Sequence, residues 1–262
     1  MAKKQSSILA IKEANIMNKK KISSLFLAII FMLSSVMTTF AIEKIDDIIL
    51  YPEVANTEVT NFEENINTFF LPNGIPMSIT ANSDGTGCKV KVGNLGIDKL
   101  DKVIVSVKAT GHSKIYKQEA KINPIVGKTF SFNIPMIKSS TTYNVEVKII
   151  DGKKIKTKTG KAKIEYTESS LNGKWNRGSS YSSRAHSLED HFKRHGKEVG
   201  STNIVNYINK ALKYRSDVSK SLTNIKKTPG TGSIPSTKYK NTVDGRYIIL
   251  ANSNKEIFSF GK

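Results

Sequence analysis

The feature that most limits what this chain can become is a change of hydrophobic period near residue 187. From Gly74 to Tyr166 apolar residues recur at every second position. Val103, Val105 and Val107 alternate with Ile104, Ser106 and Lys108; Phe130, Phe132 and Ile134 alternate with Ser131 and Asn133; Tyr143, Val145, Val147 and Ile149 alternate with Asn144, Glu146 and Lys148. A strand points successive side chains to opposite faces, so this alternation predicts strands with one buried face and one wet face. Asp151-Gly152 reads as a hairpin turn, because glycine accepts the positive φ that such turns need. Residues 154–164 then alternate again, with lysine outward. About seven strands fit into this stretch, which predicts a small two-sheet sandwich over 74–166. Cys88, the single cysteine, is in phase with Val90 and Val92. It is expected as a buried strand residue, with no histidine nearby in sequence to activate it.

From Ser187 the spacing becomes helical. Ser187 with Asp190 three residues on reads as a helix N-cap, and Leu188, Phe192, His195 and Val199 fall on one face. A second helix is expected over 203–218, with Ile204, Tyr207, Ile208, Ala211 and Leu212 as its apolar stripe. Residues 226–235 are polar and contain Gly and Pro, and strands are expected over 237–240, 246–251 and 256–260. The last 76 residues, 187–262, thus read as a small α+β domain of two helices followed by an antiparallel sheet. Between the two patterns, residues 167–186 are rich in Ser, Gly, Asn and Arg and read as a linker. That stretch holds Trp175, either a latch onto the next domain or an aromatic without a partner.

The N-terminus predicts export. Lys19, Lys20 and Lys21 precede an apolar run from Ile22 to Val36, and Thr39-Phe40-Ala41 offers small residues at the −3 and −1 positions of a cleavage site. Positive start, apolar middle and small-residue exit are the three parts of a secretory signal. Residues 1–41 are therefore expected as a signal peptide with its effective start at Met17. The alternative is an uncleaved anchor, since the run approaches the roughly 18 residues of a spanning helix. The mature protein is expected outside the cell, touching membrane only during export. Residues 42–73 are irregular and read as a linker or edge segment.

Charge is uneven along the chain. Residues 42–170 carry 18 Lys and Arg against 15 Asp and Glu, whereas residues 171–262 carry 17 against 6. A basic surface of this kind attracts nucleic acid, anionic lipid or acidic wall polymers; solvated lysines need no partner at all. Within the basic third, three of the four histidines fall together: His186, His191 and His195. His191 and His195 are four apart and share a helix face, with Lys193, Arg194 and Lys197 around them. Histidine moves protons near neutral pH, and nearby cations hold phosphate oxygens. RNA cleavage by an internal 2′-hydroxyl needs a base, an acid and a cation for the phosphorane charge, and no metal or other cofactor. On this reading Lys193, Arg194 and Lys197 bind substrate. His195 alternatively is a hydrogen-bonded core residue. As a second alternative, the i,i+4 pair could share a zinc ion, although no metalloprotease pattern surrounds it.

Two resemblances bear on these expectations. Thr141-Thr142-Tyr143-Asn144-Val145-Glu146-Val147 followed by Asp151-Gly152 resembles the penultimate strand of immunoglobulin-like and fibronectin type III-like domains, where a tyrosine near the strand start packs at a corner. Ser187-Leu-Glu-Asp-His-Phe-Lys-Arg-His-Gly-Lys-Glu-Val-Gly200, with Tyr207, Gly245-Arg-Tyr-Ile248 and Ile257-Phe-Ser-Phe-Gly261, resembles C-terminal toxin domains of bacterial polymorphic toxins. The group it is most similar to is the ribonuclease superfamily of barnase, EndoU, the tRNA-cleaving colicins and RelE. Together they imply a multidomain chain: an all-β immunoglobulin-like sandwich, then a small α+β ribonuclease domain. The resemblance implies a catalytic histidine in the first helix and basic or hydroxyl residues on the sheet. Here those are His191 and His195, with Arg246, Thr237 and Tyr239. Arg246 and Tyr239 could equally be a solvated charge and a core aromatic. The superfamily core has four strands, which would make Thr231 to Ile234 the fourth. RNA is the implied partner, together with a cognate immunity protein. Two other functions share the same signal and charge: a non-enzymatic protein binding a wall or surface polymer, and a hydrolase with a histidine-bound metal.

Overall fold

The computed structural model describes residues 49–58, 74–95, 100–121, 126–220 and 223–262. The signal sequence and the start at Met17 lie outside the described residues, as do residues 42–48 and 59–73. Among the described residues no helix is long and apolar enough to cross a membrane.

The alternating stretch folds into two antiparallel sheets. β1 (Glu53–Glu58), β8 (Lys154–Glu165), β7 (Ser140–Asp151), β4 (Lys102–Ala109) and β5 (Tyr116–Ala120) form a five-stranded sheet in that order. β2 (Met77–Ala81), β3 (Gly87–Val92) and β6 (Lys128–Asn133) form a three-stranded one. Val103, Val105, Val107, Val145, Val147 and Ile149 of the first sheet share a core with Val90, Phe130 and Phe132 of the second. Cys88 is fully buried there, and burial raises its thiol pKa to about 12, so the thiolate is not formed near neutral pH. The Tyr143 hydroxyl donates to the Ile134 carbonyl at 3.1 Å, which ties the start of β7 to the segment after β6. The 42–73 segment contributes the edge strand β1, paired antiparallel with β8.

The rest of the chain builds α1 (Glu168–Leu171), α2 (Arg184–His195) and α3 (Ile204–Ser219), then a four-stranded antiparallel sheet. That sheet runs in the order β12 (Ile257–Gly261), β11 (Tyr247–Ala251), β10 (Ser236–Asn241), β9 (Ile225–Pro229). The overall class is mixed α+β, mostly antiparallel sheet. α3 packs on the face formed by Ile248, Leu250 and Phe260, and the buried Tyr207 hydroxyl donates to the Phe260 carbonyl at 2.6 Å.

Three local expectations change. The first helix begins one turn earlier, capped by Ser183 through the His186 amide. Ser187 is inside the helix because its hydroxyl accepts the Trp175 indole N–H at 3.2 Å and donates to the Asn176 carbonyl. The fourth strand is Ile225–Pro229, and Thr231 to Ile234 is a bend. Lys226 to Pro229 keep period-two pairing with β10, and Pro229 is tolerated because β9 lies at the sheet edge. Finally, residues 167–186 are folded. Thr167 caps α1, Trp175 is completely buried, and the Asn176 amide donates to the Ile257 carbonyl at 2.8 Å. Trp175 thus has partners: it packs against His191 and Tyr207 and bonds Ser187.

The described residues form one compact unit. The segment between β6 and β7 joins its parts. The Met136 carbonyl accepts the Ile204 amide at 3.0 Å, and Glu189 of α2 accepts from Lys138 and from both the amide and hydroxyl of Ser139. Gly85, at φ +69, lies so close to Val205 that an added Cβ would sit 2.6 Å from its Cγ2, so only glycine lets the β2–β3 turn meet α3 here.

Candidate functional site

α2 builds the site from its buried stripe. Leu188 is fully buried and His191 is 8 % exposed; His195 follows one turn later. The two imidazoles stack with centroids 5.9 Å apart and planes 23° from parallel. Both line a cleft of about 400 Å³ between α2, the 177–181 loop, the 231–236 loop and the sheet. The sheet contributes Tyr247, Ile249, Phe258 and Ser259. The register shift between Ile249 and Leu250, opposite Ile257 to Ser259, lets Phe258 and Ser259 both reach this side.

Each histidine has a distinct setting. The Trp175 ring meets His191 edge-on at 5.8 Å, and the Arg194 Nη2 stands 3.3 Å from its Nδ1. Burial, then the Arg194 and His195 charges, push the His191 pKa down to about 4, so its ring is neutral near pH 7. Arg194 is itself fixed. Its Nε donates to Asp190 at 2.9 Å and its Nη2 to the Tyr181 hydroxyl at 2.9 Å, while Tyr181 donates to Asp190. His195 places Nδ1 3.0 Å from the Glu198 carboxylate. The Glu198 pKa is lowered by that hydrogen bond and by the Lys262 amide. With Nδ1 facing Glu198, Nε2 is the His195 nitrogen left for a ligand. Gly261 packs closely under this arrangement: an added Cβ would lie 3.0 Å from the Tyr247 hydroxyl and 3.1 Å from His195 Nδ1, tight contacts that those side chains would have to shift by a few tenths of an ångström to relieve.

The structure brings His191, His195 and Arg194 to the cleft and leaves the other nominated residues outside it. Lys193 and Lys197 are exposed. Thr237 hydrogen-bonds Asn252, and Tyr239 lies under Lys227; both sit one position out of phase with Ser236 and Lys238. Arg246 pairs with Asp244 and lies over the Tyr214 ring at 5.2 Å. Residues not nominated from sequence are Arg177, Tyr181, Ser236, Tyr247 and Ser259. Tyr247 and Ser259 belong to the two C-terminal motifs, and strand phase relative to Ile248 and Phe260 would have singled them out. Among the described residues, no group of three or more His, Cys, Asp or Glu is arranged to hold a metal ion. A second hollow of about 380 Å³ on the five-stranded sheet, around Lys108, Glu146, Gly160 and Lys161, contains no histidine.

Compared with protein-family profiles, curated proteins and solved structures, the chain matches none.

Proposed function

We propose that the protein is a secreted, toxin-like ribonuclease that cleaves RNA by histidine acid–base catalysis without a metal. The observation that carries this reading is the stacked pair His191 and His195 lining one cleft beside Arg194. Neutral His191 removes the 2′-hydroxyl proton. The 2′ oxygen then attacks the adjacent phosphorus, the bond to the 5′ oxygen breaks, and His195, steadied by Glu198, donates a proton to that leaving oxygen. Arg194 and the exposed Arg177 face the negative charge that builds on the phosphoryl oxygens. The products are a 2′,3′-cyclic phosphate and a free 5′-hydroxyl.

In the same proposal, the N-terminal signal directs export and a dedicated inhibitor protein protects the producing cell. Residues 74–166 are an immunoglobulin-like carrier; its two antiparallel sheets and the Tyr143 hydroxyl on the Ile134 carbonyl support that assignment. The basic excess of residues 171–262 also fits a protein that binds a wall or surface polymer without catalysis. That reading gives the imidazole pair no task.

The test is cleavage of a long RNA by the purified protein in excess EDTA, followed by end-group analysis. Cyclic phosphate ends are expected, and His191→Ala and His195→Ala should each lower the rate by roughly 10²- to 10⁴-fold while circular dichroism stays unchanged. Loss of activity in EDTA with recovery in zinc would replace this mechanism with a metal-dependent one. Absence of cleavage by folded protein would favour polymer binding.

A further inference from the structure

The cleft continues past the histidines onto an open face of the sheet. Tyr247 lies at that junction. Its ring meets His195 edge-on at 6.1 Å and carries the Lys238 ammonium 4.2 Å from its centroid. Lys238 stands opposite Ile249 on the ladder, Lys240 opposite Tyr247, and Lys226 opposite Lys240. Directly paired residues share a face, so these three lysines run from the cleft across to the edge strand on the Tyr247 side. Among the described residues none of the three is in an ion pair. Three like charges on neighbouring strands repel one another, and a polyanion lying along them relieves that cost.

We infer that Tyr247 and the Lys226–Lys238–Lys240 strip form a subsite for single-stranded RNA: an unpaired base stacks on the Tyr247 ring, and the neighbouring phosphates follow the lysines. This deepens the ribonuclease reading and rests on it for the choice of RNA. A lysine lying over a tyrosine face is held by a weak cation–π attraction, so Lys238 can exchange that contact for a phosphate while the ring receives a base. The geometry selects against duplex. A paired base is already stacked on both sides and cannot offer a face to Tyr247. His191 is also too deeply set, at 8 % exposure, for a strand held in a double helix to bring its phosphate to it. Stacking on one aromatic is sequence-tolerant, since every base has a π-face, so the subsite chooses strandedness rather than sequence.

The experiment separates this subsite from the chemistry by using a probe that cannot be cleaved through a 2′-hydroxyl. Binding of a short fluorescent single-stranded deoxyoligonucleotide and of the same strand in duplex is measured with the purified protein. Single strand is expected to bind at least about ten-fold tighter than duplex. Tyr247→Leu should weaken single-strand binding by roughly ten-fold or more, and Tyr247→Phe, which keeps the ring, should restore it. Lys238→Gln with Lys240→Gln, checked for folding by circular dichroism, should reduce the slope of log K against log salt by about 0.7 per lysine. Wild-type affinity in folded Tyr247→Leu, an unchanged salt slope in the lysine pair, or equal binding of duplex would overturn the subsite. If the variants lose affinity as expected but wild-type protein cleaves no RNA, the subsite stands and the ribonuclease reading fails. If RNA is cleaved but the variants bind as wild type, the reverse holds.

Discussion

At the scale of single residues, His191 and His195 were legible because helical spacing is a one-dimensional pattern: two histidines four apart on an apolar-striped helix must share a face. Which of them is buried was not legible. The apolar stripe points to His195, but His191 is the deeper ring because Trp175, from the stretch read as a linker, packs on it. Thr237 and Tyr239 missed the cleft by one position for a related reason. A strand has two faces, and only the pairing of Tyr239 with Ile248 and of Lys238 with Ile249 tells which face α3 covers. The depressed His191 pKa has a consequence for stability. Its folded value of about 4 lies below the usual 6.5, so between those pH values the unfolded chain binds more protons. Stability contributed by the neutral ring is therefore present above pH 6.5 and lost as pH falls toward 4. Going from pH 7 to pH 5 should cost the wild type about 2 kcal/mol more than it costs His191→Gln, read from denaturant unfolding at both pH values. Equal losses in the two proteins would mean the ring is not held neutral.

At the scale of elements, strict alternation marks the strands β3, β4, β6, β7 and β8, and the pattern gives out where polar residues hold structure. β9 was missed because Lys226, Lys227 and Pro229 look like loop residues, although an edge strand with one solvated side accepts them. The 167–186 segment looks like a linker by composition, yet three of its polar groups converge on one acid. Glu256, with its side chain 2 % exposed, accepts from the Gly173 amide at 2.8 Å, from Asn176 at 2.6 Å and from Arg184 at 3.2 Å. Burial alone would raise its pKa, but these hydrogen bonds and the Arg184 charge hold it below the usual carboxylate value. Glu256→Ala should therefore destabilise the protein by about 3 kcal/mol, because it strands buried donors and a partly buried cation. Breaking the exposed Lys102–Glu119 pair should cost under about 1 kcal/mol. Matched unfolding midpoints for Glu256→Ala and Lys102→Ala would show that the acid does not organise this segment.

At the scale of the whole molecule, no local pattern announced how the strand-rich and helix-rich parts meet. The contacts that join them are chemically ordinary: Glu189 on Lys138 and Ser139, the Ile204 amide on the Met136 carbonyl, and Asn209 on the Leu50 amide at 2.8 Å. Glu189 and the histidines share α2, so the β6–β7 segment helps to position the helix that carries the site. A fragment of residues 187–262 lacks Trp175, the Ser183 cap, Arg184 and every partner of Glu189. It is expected to lack cooperative thermal unfolding and dispersed amide resonances, whereas the full chain shows both; a well-folded fragment would contradict this dependence. The assembled cleft is expected to act on one kind of bond, and an oligodeoxynucleotide with a single ribonucleotide isolates that bond. In EDTA, the protein should cut this strand only on the 3′ side of the ribose, leaving a 2′,3′-cyclic phosphate. The all-deoxy strand should stay intact, and so should the single-ribose strand with folded His191→Ala/His195→Ala protein. Cutting of the all-deoxy strand, or wild-type cleavage by that double variant, would contradict histidine catalysis through the 2′-hydroxyl.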